Sequence, residues 1–198
     1  MQKKRILLLG PNQRNKHLKS FLKKKYLLES FNRKLDEQTF KKFNFHAIIC
    51  SGYPFLVKKK FFTKVKIAIN LHISYLPYNR GLIPNVWSFY ENNSSGITIH
   101  KLGINFDDGE ILIQKKVRFR NIKKHTLKST HDFLIKKLNK IFKANSDNIL
   151  DNKIKSYSQN KYVKNYKKYH SLAESNKLLK DHNIKFSDKI SKIININR

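Results

Sequence analysis

Arg5-Ile6-Leu7-Leu8-Leu9-Gly10-Pro11-Asn12 decides the fold: an apolar run without polar alternation that stops in a turn-forming Gly-Pro-Asn. Such a run reads as a strand buried on both faces, followed by its loop. The same pattern returns twice. His46-Ala47-Ile48-Ile49-Cys50 runs into Ser51-Gly52-Tyr53, and Val65-Lys66-Ile67-Ala68-Ile69-Asn70 runs into Leu71-His72. Between these runs the spacing turns helical. Leu18, Phe21 and Leu22 recur within 16–25 with lysines on the other face, and 36–43 carries Asp36 and Glu37 early, where the helix dipole favours anions. Residues 54–62 are expected to be helical as well, and Tyr26-Leu27-Leu28 a short second strand. Strands alternating with helices of this length predict βαβ units: an α/β protein with an open, mostly parallel sheet and helices on both faces. In such sheets ligands lie beyond the carboxyl ends of the strands, which is where Gly10-Pro11-Asn12, Ser51-Gly52-Tyr53 and Asn70-Leu71-His72 fall.

Further along, a helix is expected over 84–90 with Pro84 in its first turn, strands over 96–100 and 110–119, and a long helix over 126–142. The polar remainder, 151–198, has no Gly or Pro and reads as a short basic C-terminal extension of a catalytic domain spanning 1–150. A chain of 198 residues suits one ordinary domain with its own core. The single cysteine, Cys50, excludes a disulfide framework and a multi-cysteine zinc site, so a reducing, cytoplasmic setting is expected. Ile6 to Leu9 is too short for a signal-peptide core, and no run approaches a membrane span.

The net charge of +30 invites a nucleic-acid reading. Yet 36 of the 43 basic residues are Lys and only 7 are Arg, whereas readers of phosphate and bases favour the bidentate Arg fork. Weakly constrained surface positions account for most of the lysine. Residues 1–69 carry +15, while residues 70–110 carry −2 and hold four of the six glycines and the sole tryptophan, Trp87. A stretch that departs from its own chain's background is where special backbone geometry or chemistry is expected.

Asn70 and His72 lie two apart at a strand end and so share a side of the sheet. An amide can donate to a carbonyl oxygen gaining negative charge, and an imidazole can move a proton near neutral pH, which together suit acyl chemistry. Asp107, in Asp107-Asp108-Gly109, could orient that imidazole. Each is weak alone, since Asp-Asp-Gly is also an ordinary turn.

The combination resembles a family. Asn70-Leu71-His72-Ile73-Ser74-Tyr75-Leu76-Pro77-Tyr78-Asn79-Arg80-Gly81, then Pro84 and Trp87, then Gly96-Ile97-Thr98-Ile99-His100, then Asp107-Asp108-Gly109-Glu110-Ile111 is similar to the folate-dependent formyltransferases. These comprise enzymes acting on methionyl-tRNA, glycinamide ribonucleotide and amino sugars. The resemblance implies a Rossmann-like domain, 10-formyltetrahydrofolate as formyl donor and no metal. It implies Asn70, His72 and Asp107 as the catalytic set, with Asp108 the rival by proximity. Asn70 and protonated His72 would stabilise the oxyanion formed when an amine attacks, while Asp107 supports the His72 charge. The folate would lie along Ser51, Gly52 and Tyr53 and the loop Gly103, Ile104, Asn105 and Phe106, although Tyr53 and Phe106 also read as packing residues. His100 reads as structural.

For the acceptor, the Gly10-Pro11-Asn12 loop lacks a glycine- and serine-rich phosphate cradle, which disfavours glycinamide ribonucleotide. The wording around His72, Arg80 and Trp87 is similar to small formyltransferases of nucleotide-linked amino sugars for surface polysaccharides, with Gly10, Asn12, Tyr78 and Arg80 expected at the substrate. Tyr166 and Tyr169 could stack on a base or belong to a solvated lysine-rich face. A methionyl-tRNA enzyme, an inactive scaffold that binds RNA, and a formyl-folate hydrolase stay open at this point. Nucleic acid is the weaker partner, no membrane partner is expected, and a homodimer is compatible with the sequence.

Overall fold

The computed structural model describes residues 3–159 and 169–196. Six strands form one sheet in the order β2-β1-β3-β4-β5-β6. They are β1 (Arg5–Leu9), β2 (Leu27–Phe31), β3 (Ala47–Cys50), β4 (Ile67–His72), β5 (Gly96–Lys101) and β6 (Ile111–Lys116). β2, β1, β3 and β4 run parallel, and β5 and β6 close the sheet as antiparallel strands. The chain steps from β1 outward to β2 and then back across β1 to β3. That reversal opens a crevice at the carboxyl ends of β1 and β3, the place where α/β sheets hold ligands.

Alternation along each strand builds two cores. Ile6, Leu8, Ile49, Ile69, Leu71 and Ile99 face helices α1 (Lys16–Lys25) and α5 (Leu127–Leu150), where Leu18, Leu22, Leu134, Leu138 and Phe142 meet them. Leu7, Leu9, Ile48, Cys50 and Ala68 face the other way, toward Phe40 of α2 (Glu37–Lys41) and Phe61 of α3 (Lys59–Phe62). With both faces covered, β1 from Ile6, β3 and the first half of β4 are apolar without a break, the pattern seen in the sequence.

Several boundaries differ from expectation: β2 runs on to Phe31 instead of ending at Leu28, and β6 stops at Lys116 instead of 119. Only Lys59–Phe62 of the expected 54–62 helix is helical. Phe55, Leu56 and Val57 instead line a cavity, so their apolar side chains do not trace a helix face. Conversely α5 continues eight residues past 142, because Ser146, Ile149 and Leu150 extend its buried stripe. It starts at a reciprocal Thr126–Ser129 capping box.

The chain beyond α5 packs onto the rest. Helices α6 (Leu172–Asp181) and α7 (Ile190–Ile196) bury Leu178, Ile190 and Ile193 with Val86, Trp87 and Phe89 of α4 (Pro84–Tyr90). Among the described residues no helix is long and apolar enough to cross a membrane.

Candidate active site

β4 ends in Asn70 and His72, and its register puts Asn70 between Cys50 on β3 and His100 on β5. Period-two alternation therefore aims Asn70, His72 and His100 at one face, above the core built on α2 and α3. The loop between β5 and β6 brings Asp107 across them. Its Oδ1 accepts from Asn70 Nδ2 at 2.7 Å and lies 3.3 Å from His100 Nε2 and 3.6 Å from His72 Nδ1. Its Oδ2 accepts from the Gly81 backbone N–H at 2.8 Å. One buried carboxylate thus gathers four groups from three places in the chain.

The two imidazoles are fixed from behind. His72 Nε2 lies 3.2 Å from the Asn79 carbonyl and His100 Nδ1 lies 2.7 Å from the Lys101 carbonyl. A carbonyl only accepts, so the proton of neutral His72 sits on Nε2 and Nδ1 presents a lone pair toward Asp107. Burial pushes the His72 pKa below that of an ordinary imidazole, and the Asp107 charge only partly offsets this. Burial alone would raise Asp107. The two histidines and the Gly81 N–H outweigh it and hold the carboxyl well below the usual range. Beneath them the Cys50 thiol is pushed up by burial, which leaves it un-ionised and inert.

The neighbouring aspartate has another task. Asp108 Oδ2 accepts from the Asn105 backbone N–H at 3.0 Å and from Asn105 Nδ2 at 2.9 Å, which staples the loop.

A cavity of about 380 Å³ opens beside this constellation. One wall is Gly52, Tyr53, Phe55, Leu56, Val57, Leu102, Gly103, Asn105 and Phe106. The Tyr53 hydroxyl donates to Arg33 O at 3.0 Å and accepts from Leu35 N–H at 2.9 Å, so its ring is held as wall. The other wall comes from α4, α5 and the C-terminal segment, including Val86, Leu127, His131, Tyr169 and Phe186.

Of the residues marked by sequence, Asn70, His72, Asp107, Gly52, Tyr53, Gly103, Asn105 and Phe106 come together here. Others are placed elsewhere. Ser51 is buried with its carbonyl 3.0 Å from Asn15 Nδ2, and Gly10 packs against that same carbonyl. Ile104 is exposed, and Asn12 accepts from Lys19 Nζ at 2.8 Å on the surface. Tyr78 borders a separate polar groove with Asn93 and Arg118. Arg80 spends Nε and Nη2 on the Phe106 carbonyl, at 3.0 and 2.6 Å, and so braces the loop that carries Asp107. Tyr166 lies outside the described residues, while Tyr169 stacks on Phe106 with centroids 5.4 Å apart.

The sequence reading missed Arg14. Its side chain lies against Gly52 and lines the cavity, and its Nε is buried without a hydrogen-bond partner among the described residues. Burial pushes its pKa down to about 10, which leaves it cationic at neutral pH. No spacing signal announces it, because it enters the site across the β1/β3 crevice.

An α/β sheet of this order brings an amide, an imidazole and a carboxylate together at one carboxyl edge beside an apolar cavity, the groups that acyl transfer uses. More specifically, the chain belongs to the formyl transferase family, whose family model matches residues 3–142. Among solved structures it is similar to the formyltransferase PseJ from Anoxybacillus kamchatkensis, in complex with UDP-4,6-dideoxy-4-formamido-L-AltNAc and tetrahydrofolate. They share 33% identity at a TM-score of 0.85, over 98% of this chain and 100% of that one. Over 48 residues it is 38% identical to a dTDP-4-amino-4,6-dideoxyglucose formyltransferase of Mycobacterium bovis, covering 24% of this chain and 20% of that protein. Over 94 residues it is 31% identical to a methionyl-tRNA formyltransferase of Ehrlichia ruminantium, covering 46% of this chain and 31% of that protein. The matches thus span a fifth to a third of the length of these curated relatives.

Proposed function

We propose that the protein moves a formyl group from 10-formyltetrahydrofolate to the amine of a nucleotide-linked amino sugar. The observation that carries this reading is the end-to-end correspondence with the Anoxybacillus formyltransferase, whose complex contains a UDP-linked formamido sugar and tetrahydrofolate. An inactive RNA-binding scaffold would have no use for Asn70 bonded to Asp107 with His72 3.6 Å from the same carboxylate oxygen.

The cavity fits the donor. Tyr53, Phe55, Leu56, Val57, Leu102 and Phe106 provide an apolar slot for a heteroaromatic ring, with the Gly52 and Gly103 backbone and Asn105 at its edge, adjacent to the three polar groups. Bound there, 10-formyltetrahydrofolate supplies the formyl carbon. Asn70 Nδ2 donates to the formyl oxygen as it gains charge. His72, neutral through burial, takes the amine proton on Nδ1 as the amine nitrogen bonds to the formyl carbon, and returns it to the folate N10 as the carbon–N10 bond breaks and tetrahydrofolate leaves. Asp107 steadies the imidazolium this creates, and its own low pKa keeps it ionised throughout. His72 therefore begins neutral, and the protonated state expected from the sequence arises during turnover. Arg14 meets the anionic part of the acceptor, a role that suits a sugar linked through phosphate.

The test is formyl transfer from 10-formyltetrahydrofolate, read by mass spectrometry, with UDP- and dTDP-linked amino sugars, methionyl-tRNA and water as acceptors. A formyl mass gain on a sugar nucleotide is expected. Transfer to methionyl-tRNA alone, or release of formate alone, would replace this reading with the tRNA enzyme or the hydrolase.

A further inference from the structure

The segment after α5 carries none of the three residues assigned to chemistry, yet it grips Asp107 from two sides. On one side stands Gln159, itself buried. Its Nε2 donates to the main-chain carbonyls of Asp107 and Gly109, both at 2.8 Å. Those carbonyls bracket a turn in which Asp107 sits at φ 53°, a left-handed conformation that a side-chain-bearing residue keeps only when its surroundings enforce it. Both protons of one amide are spent on that enforcement.

On the other side the chain returns as a short bridge against residues 80–82. The His170 N–H donates to Arg80 O at 2.9 Å and the Leu82 N–H to His170 O at 3.2 Å. Gly81 lies between them and sends its N–H to Asp107 Oδ2. The approach is so close that a Cβ on Gly81, at φ 96°, would stand 2.2 Å from His170 O. His170 is anchored in turn, its ring stacked on Trp87 at 3.8 Å and its Nε2 3.3 Å from Glu91 Oε1.

We infer that Gln159 is a positioning residue for Asp107: by tying both carbonyls of the turn it holds the carboxylate where Asn70, His72 and the Gly81 N–H meet it. The segment read from sequence as an extension is then part of the catalytic apparatus. This rests on the role given to Asp107 in the proposed function. Without Gln159 the turn relaxes out of the left-handed region and the carboxylate recedes from His72. The titratable and charged groups facing His72 are Asp107, His100 and Arg14, and only Asp107 is displaced by the change.

The experiment compares full-length wild type, Gln159→Ala and Leu178→Ala, the last removing a buried contact of α6 that does not itself line the cavity. Each is assayed for transfer to UDP- and dTDP-linked amino sugars, melted, and titrated by NMR at the His72 ring. For Gln159→Ala the expected result is a kcat lower by about tenfold or more, with KM for donor and acceptor little changed. The His72 titration should move to still lower pH, because the carboxylate that raises it has withdrawn. Leu178→Ala should lower Tm and leave kcat and the His72 titration as in wild type. An unchanged kcat in Gln159→Ala overturns the inference. So does a fall in kcat without movement of His72, or reproduction of both effects by Leu178→Ala. If wild type formylates no amino sugar, the functional reading fails separately, and the His72 titration still decides whether Gln159 places Asp107.

Discussion

Asn70 donates its amide to Asp107 Oδ1 at 2.7 Å, so the group proposed to meet the formyl oxygen is held at rest by the carboxylate that also faces His72. The amide needs no search for its orientation, because an ionised carboxylate accepts only from the Nδ2 end. Asn70→Ala removes both the donor and the shortest bond to Asp107. We expect kcat to fall by about a hundredfold to a thousandfold, with donor affinity changed by a few-fold and the circular dichroism spectrum retained. A kcat near wild type would remove Asn70 from the chemistry.

The burial of His72 sets a pH signature. Its folded pKa lies below that of an ordinary imidazole, so the neutral form required for accepting the amine proton persists into mildly acidic solution. Activity should hold as pH drops through about 6.5, the unperturbed histidine value, and fall only on passing the depressed pKa. Stability follows the same sign. Below the unfolded pKa the unfolded chain binds a proton that the native site resists, so this group disfavours folding progressively as pH falls. A pH profile of kcat/KM whose acidic limb sits at or above the unperturbed value would contradict the neutral starting state.

Arg14 tests the anionic acceptor. Its Nε is buried and unsatisfied among the described residues, and its side chain borders the cavity. A hydrogen bond to a charged group contributes about 1.5–3 kcal/mol, so Arg14→Ala should raise KM for a sugar nucleotide by roughly tenfold to a hundredfold while donor KM stays put. Initial-rate kinetics with each substrate varied in turn distinguish the two. A selective rise in donor KM would move Arg14 to the folate's carboxylates instead.

What the sequence made legible, and what it did not, divides along physical lines. β1, β3 and the first half of β4 are apolar without a break because both sheet faces are covered, and period two then puts Asn70 and His72 on one side. The end of α5 was hidden because Asn145, Ser146 and Asp147 interrupt the apolar stripe, although Ser146 is itself buried. α7 was hidden because its buried pair, Ile190 and Ile193, has a partner only once α4 is folded beside it. Arg14, the Gly81 N–H and Gln159 share that property. Each is placed by contacts distant in sequence, and neither composition nor spacing records such contacts.

Gly10 separates a packing role from a binding one. The sequence marks it for the substrate, but at φ 137° a Cβ there would lie 2.1 Å from Ser51 O, in the crevice between β1 and β3. Gly10→Ala must therefore displace β3's end or strain the turn. We expect a loss of about 2 kcal/mol or more, read as a lower Tm, with acceptor KM altered no more than donor KM. An effect on acceptor KM at unchanged Tm would restore the binding role.

Two adjacent aspartates give the sharpest contrast. Asp107 faces Asn70, His72, His100 and the Gly81 N–H, whereas Asp108 accepts from Asn105 and faces the loop. Asp107→Asn keeps the shape and removes the charge. Its new NH2 then competes with donors already aimed at it, and the His72 imidazolium loses its counter-charge just when the amine proton arrives. The expected fall in kcat is about a hundredfold or more, with the acidic limb moved to lower pH because the carboxylate that raised His72 is gone. Asp108→Asn can still accept from the Asn105 N–H through its amide oxygen, so kcat should change by only a few-fold and the pH profile should keep its shape. Side-by-side kcat/KM profiles of the two variants read both effects. Comparable losses in the two would mean that the loop's integrity, and not the charge on Asp107, is what turnover requires.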